Sequence, residues 1–305
     1  MYYHRAVMPS EVVKYLAVSA DKIYVDGTTG EGGHSELLLK SAKIKLLICI
    51  EQDNEILERA KERLKKFKNV IFINDNFVNL RGILKKLDLE EKVDGILLDL
   101  GLSMYHYKAS EKGFSFEKEE RLDMSFNNNG ISAYDIINNY SEYELSKLIW
   151  AFGEDRWARR IAKYIVAYRE KKNIETTTEL KNIIESAIPK RFWKRGLNPA
   201  TRTFQALRIA VNNELEKLET VLPVMIDELK KGGRGVVISY HSLEDRIVKH
   251  TFKLYSTGRD NEGNEHPDKK GIIKVLTKKP VTATEEEIKR NRSARSAKLR
   301  AIEKN

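Results

Sequence analysis

Four carboxylates and a run of glycines carry the chemistry that can be read from this chain. Asp26-Gly27-Thr28-Thr29-Gly30-Glu31-Gly32-Gly33-His34-Ser35 follows a short apolar run that begins at Ile23, and it leads into Glu36-Leu37-Leu38-Leu39. That order reads as strand, glycine turn and helix, a shape that lets a ligand lie against bare backbone and meet the free N–H groups of a helix start. Glu51 closes a second apolar run, Leu46 to Ile50, where a ribose-binding acid belongs in a nucleoside-binding fold.

The chemistry of the ligand follows from what surrounds the glycines. Ser35 stands where the third glycine of a dinucleotide fingerprint belongs, and no Gly-Lys-Ser/Thr closes a phosphate loop. The neighbours are acids instead: Asp26 before the turn, Glu31 within it, Glu51 on the next strand and Asp99 at the end of a later one. Carboxylates repel a pyrophosphate but hold an adenosyl group carried on a cationic sulfonium, which is S-adenosylmethionine. Glu51 can accept two ribose hydroxyls, Phe77 can lie against an adenine face, and Asp99 can face the sulfonium or amino end.

These residues need a parallel sheet to bring them together. Apolar strands at 23–25, 46–50, 70–73 and 93–98 alternate with helix-like segments at 35–41, 54–66 and 79–87, the pattern of a parallel sheet wrapped by helices. Asp26, Glu51, Asp75 and Asp99 all fall at or just beyond strand ends, where such sheets bind ligands. Cys49, the single cysteine, lies in an apolar run and reads as a buried strand residue.

From Met104 to about Gly196 the alternation stops. Trp157, Ile161, Tyr164, Ile165 and Tyr168 share one helical face, and Thr178 is the expected cap of a second helix reaching Ala187. The segment reads as an inserted all-helical domain over 104–197, with 1–103 and 198–305 forming the sheet domain. A long helix is expected after Asn198-Pro199-Ala200-Thr201-Arg202, capped by Thr201 or Thr203, with Phe204, Leu207, Val211, Leu215, Leu218 and Leu222 on one stripe. The final strand, 234–239, delivers Tyr240-His241-Ser242-Leu243-Glu244-Asp245 to the sheet end that carries the acids. Glu244 and Asp245 suit the first turn of the following helix better than a metal site, so no metal is expected.

The 305 residues carry a net charge of +10, which favours a polyanionic partner. Arg191, Lys194, Arg195 and Arg202 crowd Phe192 and Trp193, and cations interleaved with aromatics suit RNA. Arg295 belongs to a C-terminal basic run, 289–300, that reads as a phosphate-tracking edge, while 293–299 can also pack against the sheet. No apolar window is long enough to span a membrane and no signal peptide is evident, so a cytoplasmic protein is expected.

A set of longer motifs carries a resemblance. Gly32-Gly33-His34-Ser35, Gly95-Ile96-Leu97-Leu98-Asp99-Leu100-Gly101, Gly113-Phe114-Ser115-Phe116, Asn198-Pro199-Ala200-Thr201-Arg202-Thr203-Phe204-Gln205-Ala206 and His241-Ser242-Leu243-Glu244-Asp245-Arg246 occur in this order. The chain resembles the bacterial small-subunit ribosomal RNA cytosine-N4 methyltransferase family (RsmH/MraW). The resemblance implies a Rossmann-like α/β methyltransferase sheet, S-adenosylmethionine as cofactor, and a substrate in small-subunit ribosomal RNA or the assembled small subunit. It further implies methylation at the decoding-centre P-site cytidine. Gly32, Gly33, His34, Glu51, Phe77 and Asp99 match cofactor positions of the family. His106 stands at a family glutamine and by resemblance would contact the cofactor, and Ser125 replaces a family arginine on the substrate side. Asp99, Ser103, Asn198 and His241 are the catalytic candidates. An oxidoreductase on the same sheet and a non-catalytic RNA-binding protein are the alternatives that the residues leave open.

Overall fold

The computed structural model describes residues 5–108, 110–126, 130–193, 196 and 198–305. They fold as two compact units, one formed by 1–103 with 215–305 and the other by 104–214.

The first unit is built on an eight-stranded sheet. Strands β1 (Ile23–Asp26), β2 (Leu46–Glu51), β3 (Val70–Asn74), β4 (Val93–Asp99) and β5 (Leu229–Ser239) run parallel in the order β3-β2-β1-β4-β5. Helices α1 (Pro9–Leu16), α2 (Gly33–Ser41), α3 (Asn54–Leu64) and α4 (Leu80–Lys86) occupy the first half of the chain. Period-two alternation sorts the apolar side chains onto two buried faces. Val25, Ile48, Ile50, Ile96 and Leu98 pack with Leu222 and Met225 of α11 (Glu214–Glu228) and Phe252 of α12 (Ser242–Thr257). Tyr24, Leu47, Cys49, Leu97 and Ile238 pack on the other side with Val12, Leu16 and Leu38.

The C-terminal third departs from the expected run of strands. Strand β8 (Lys298–Lys304) lies antiparallel between β5 and β6 (Ile273–Val275), and it also pairs with β7 (Val281–Thr282). Its charged sequence hides it, because Arg300 is buried and donates to Asp245 at 2.7 Å. Part of the expected phosphate-tracking run is therefore internal structure, whereas Arg295 remains exposed. Strand β5 starts at Leu229 and not at Arg234: Leu229 already pairs with Val93, and a register shift separates that pair from Gly95 opposite Arg234.

The second unit is helical: α5 (Met104–Lys108), α6 (Ala133–Asn139), α7 (Glu142–Gly153), α8 (Ala158–Arg169), α9 (Thr177–Ala187) and α10 (Thr201–Asn212). Thr176, not Thr178, caps α9, in a reciprocal capping box with Glu179. Neither Thr201 nor Thr203 caps α10. Asn198 instead accepts the Ala200 N–H, and Thr203 is buried. The expected long helix is two helices, broken where Asn213 adopts a left-handed conformation (φ 50°).

The compact units divide at 214/215, just after that break, so α10 lies with the helical unit. Helix α10 stays with the helical unit because it lies close against α7: a Cβ on Gly153 would stand 2.7 Å from the Arg202 carbonyl. Asn212 adds polar clips, donating to the Met124 carbonyl at 2.8 Å and accepting the Phe126 N–H at 3.0 Å. Among the described residues no helix is long and apolar enough to cross a membrane.

Candidate active site

The site grows from a mismatch in strand length. Asp26, the last residue of β1, pairs with Cys49 on one side and Leu97 on the other. Strands β2 and β4 each run two residues further, to Glu51 and Asp99. The two acids thus stand level with each other on either side of the glycine turn, at the carboxyl edge of the sheet.

The turn is fixed by hydrogen bonds to these acids. Glu51 Oε2 accepts the Gly30 N–H and its Oε1 accepts the Asp53 N–H, each at 2.9 Å. Burial pushes the Glu51 carboxyl up to about 7, with the two N–H groups opposing the rise. Gly30 and Gly32 have φ of 52° and 79°, so a side chain at either would be strained. Gly32 also caps α2. A Cβ on Gly30 would lie 3.9 Å from the Cβ of Ser103, which places Ser103 across from the turn.

Asp26 is enclosed at the end of β1. It is 1% exposed, with Oδ2 accepting the Ser35 hydroxyl at 2.6 Å and Oδ1 accepting the Thr28 N–H at 3.3 Å. Burial raises its pKa, against the pull of Ser35. Asp26 therefore ties the strand end to α2. Asp75 likewise turns inward on its own loop, accepting from the Asn76 N–H and the Asn79 amide.

Asp99 is gripped on both oxygens. Tyr240 donates its hydroxyl to Oδ1 at 2.8 Å, and His34 Nε2 lies 3.3 Å from Oδ2. The Asp99 N–H is bonded to the Thr28 hydroxyl at 2.6 Å. Burial would lower the pKa of His34, but its contact with Asp99 and the charges of Asp99 and Asp26 carry it upward. The His34 Nδ1 is buried with no hydrogen-bond partner among the described residues. Tyr240 and Thr28 escape a search for acids, yet Tyr240 follows the end of β5 directly, so the strand-end rule that selects Asp99 also points to it.

The other expected site residues divide between the units. Phe77 starts a single turn after β3, and its Cβ lies 3.6 Å from where a Cβ on Gly27 would stand. His241 caps α12: its Nδ1 accepts the Glu244 N–H at 3.3 Å, and Glu244 and Asp245 occupy the first helical turn. His106 and Asn198 belong to the helical unit. The His106 ring packs 5.1 Å from Phe114 and 5.0 Å from Phe126. Asn198 donates to Glu185 at 2.9 Å while it accepts from Ala200. Ser125 accompanies Asp123, to which its hydroxyl donates at 2.6 Å. Arg191 stacks on Phe192, and Arg202 donates to the Glu154 carbonyl. Lys194 and Arg195 lie outside the described residues.

The edge suits a cationic adenosyl ligand. The Glu51 oxygens each hold one N–H and keep acceptor capacity, His34 offers an unmatched buried nitrogen, and Asp99 is fixed on the opposite flank of the turn from Glu51. This sheet order, with a glycine turn after its central parallel strand and acids on the flanking ones, defines an S-adenosylmethionine-dependent methyltransferase of Rossmann-like fold. The chain belongs to the MraW methylase family, whose family model matches residues 1–305.

Curated relatives agree over their whole length. The chain is 46% identical over 310 residues to a protein of Pelobacter propionicus, covering 99% of each, and 46% identical over 310 residues to one of Caldicellulosiruptor saccharolyticus, covering 100% of each. A relative from Clostridium botulinum is 43% identical over 317 residues, with 99% of each chain covered. All three bear the name ribosomal RNA small subunit methyltransferase H.

Proposed function

We propose that the protein methylates the exocyclic N4 amine of a cytidine in small-subunit ribosomal RNA, the decoding-centre P-site cytidine, in the cytoplasm where ribosomes are assembled. The names of its relatives support the ribosomal substrate. The observation that carries the site assignment is the Asp99 carboxylate, held by Tyr240 and His34 at the strand edge opposite Glu51.

In this reading Glu51 accepts the ribose hydroxyls, Phe77 lies against the adenine, and the backbone at Gly32 and Gly33 passes close to the ligand. Asp99 balances the cationic methionine end, and His34 completes the binding edge. When bound, S-adenosylmethionine supplies an electrophilic methyl group. A cytosine amine is a weak nucleophile because its lone pair is delocalised into the ring. The protein must therefore accept hydrogen bonds from that amine and hold it in line, and such positioning is worth on the order of 7–11 kcal/mol. Ser103, opposite the glycine turn, is the base-side residue of the sheet unit. His241 spends Nδ1 on the Glu244 N–H while its buried Nε2 has no hydrogen-bond partner among the described residues, and Asn198 donates to Glu185 and accepts from Ala200.

Methyl transfer to small ribosomal subunits from cells lacking the activity, followed by mass mapping of the RNA, tests the reading. The expected product is one N4-methylcytidine that is lost with Asp99→Ala. A methyl group on another base, or unchanged turnover by Asp99→Ala, overturns it.

A further inference from the structure

The helical unit contains a cavity of about 210 Å³ that the proposed chemistry does not use. Asp155, Arg156, Trp157, Phe192 and Arg202 are among its walls, and every lining residue lies within 104–214. The space is below the roughly 300–1,000 Å³ of sites for drug-sized ligands, so it suits one flat group and not a whole cofactor.

Its walls combine π-faces, cations and one acceptor. Trp157 and Phe192 lie 5.1 Å apart at 49°, and the Arg156 guanidinium stands 5.5 Å from the first ring and 5.2 Å from the second. Arg156 is exposed and has no carboxylate partner among the described residues. Arg191 lies 4.9 Å from the Phe192 centroid on the same turn. Phe192 is 39% exposed, an aromatic left at the surface beside Arg156 and Arg191. Asp155 is 4% exposed, and its side chain accepts one hydrogen bond, from the Trp157 N–H at 2.9 Å. A carboxylate so placed keeps room for another donor.

We infer that this cavity binds one unpaired nucleotide of the RNA. The inference rests on the RNA reading given above and adds a second point of capture. The occupant must present a π-face to Phe192 and Trp157, an N–H to Asp155, and negative charge to Arg156, Arg191 and Arg202. A nucleobase with its phosphates meets all three demands, and a duplex does not, because its bases are stacked away. Asn198, whose side chain donates to Glu185 and accepts the Ala200 N–H, also lines the cavity.

The test uses the full-length protein and a labelled single-stranded oligoribonucleotide of about ten nucleotides, within the usual span of such sites. All three tryptophans, Trp150, Trp157 and Trp193, lie in the helical unit, so quenching of their emission reports a base entering it. Single-stranded RNA is expected to quench, and Phe192→Ala or Arg156→Gln to weaken binding on the order of tenfold, with Phe192→Tyr restoring it. Circular dichroism of each variant checks that the fold is kept. Equal affinity and quenching with the same sequence as a duplex would reduce the cavity to a phosphate patch and overturn the inference. If the wild type methylates ribosomal subunits while Phe192→Ala leaves the KM for them and the quenching unchanged, the cavity assignment fails alone. A wild type that neither binds the oligonucleotide nor methylates subunits removes both readings.

Discussion

The Tyr240 hydroxyl donates to Oδ1 of Asp99 at 2.8 Å, across 141 positions of sequence, while His34 approaches the other oxygen of the same carboxylate. Tyr240 also packs its ring over Gly101, where an added Cβ would stand 2.7 Å from it. Strand β5 thereby sets the orientation of an acid that belongs to β4.

Tyr240→Phe keeps the ring and removes only this bond. Hydrogen bonds to charged groups contribute about 1.5–3 kcal/mol to folding stability, so the melting temperature should fall by several degrees, and methyl transfer should slow as Asp99 loses its fixed orientation. Single-turnover methylation with saturating cofactor measures it. A rate equal to the wild type would show that Asp99 needs no such anchor.

Glu51 makes cofactor binding depend on pH. Burial pushes its carboxyl up to about 7, and ribose hydroxyls donate to the charged form, so affinity for S-adenosylmethionine should rise as pH increases through 7 and fall below it. The ligand-free protein should behave in the opposite sense. Because the folded pKa lies above the usual 4.5, this group lowers stability progressively as pH rises from about 4.5 to 7. Calorimetric titrations at pH 6 and pH 8, with Glu51→Gln as the pH-insensitive control, separate the two effects.

Gly32→Ala places a side chain at φ 79°, with its Cβ 3.4 Å from Leu64. Left-handed strain costs on the order of 1–3 kcal/mol, so the denaturant midpoint should fall and cofactor affinity with it. Urea unfolding with and without S-adenosylmethionine reads both. An unchanged midpoint would mean that the turn relaxes freely.

Arg300 and Asp245 form a largely buried pair that joins β8 to α12. Arg300→Ala leaves Asp245 with Lys298 at 3.5 Å as its remaining cation. Loss of one partner from a buried pair costs about 3–5 kcal/mol, and partial compensation by Lys298 should bring the loss toward the lower figure. Urea unfolding monitored by circular dichroism measures it.

The first four strands and the acids at their ends were readable because their cause is local: continuous apolar runs, glycines, and carboxylates in step with strand ends. What could not be read was set by distant partners. Arg300 looks like a surface cation until Asp245, 55 positions away, is placed beside it. The membership of α10 depends on Asn212 reaching Met124 across 88 positions, and on Gly153 admitting the backbone at Arg202. The bonds of Asp26 to Ser35 and Thr28 depend on how the turn folds back on the strand end, which its position in the sequence does not show. The Thr176 cap, by contrast, was legible as Thr-x-x-Glu, and the neighbouring Thr178 drew the assignment two residues late.

Cys49 gives the molecule a built-in gauge. Its thiol is fully buried, donates to Ser35 at 3.4 Å beneath the glycine turn, and is pushed up to about 12 by its surroundings. A protonated, enclosed thiol does not react with alkylating reagents, so modification should occur only when the floor under the turn opens. As the sole cysteine, it reports on that motion without any engineered label. The rate at which a thiol reagent traps it should drop as S-adenosylmethionine is added, turning a residue with no part in the reaction into a clock for how tightly the turn is shut.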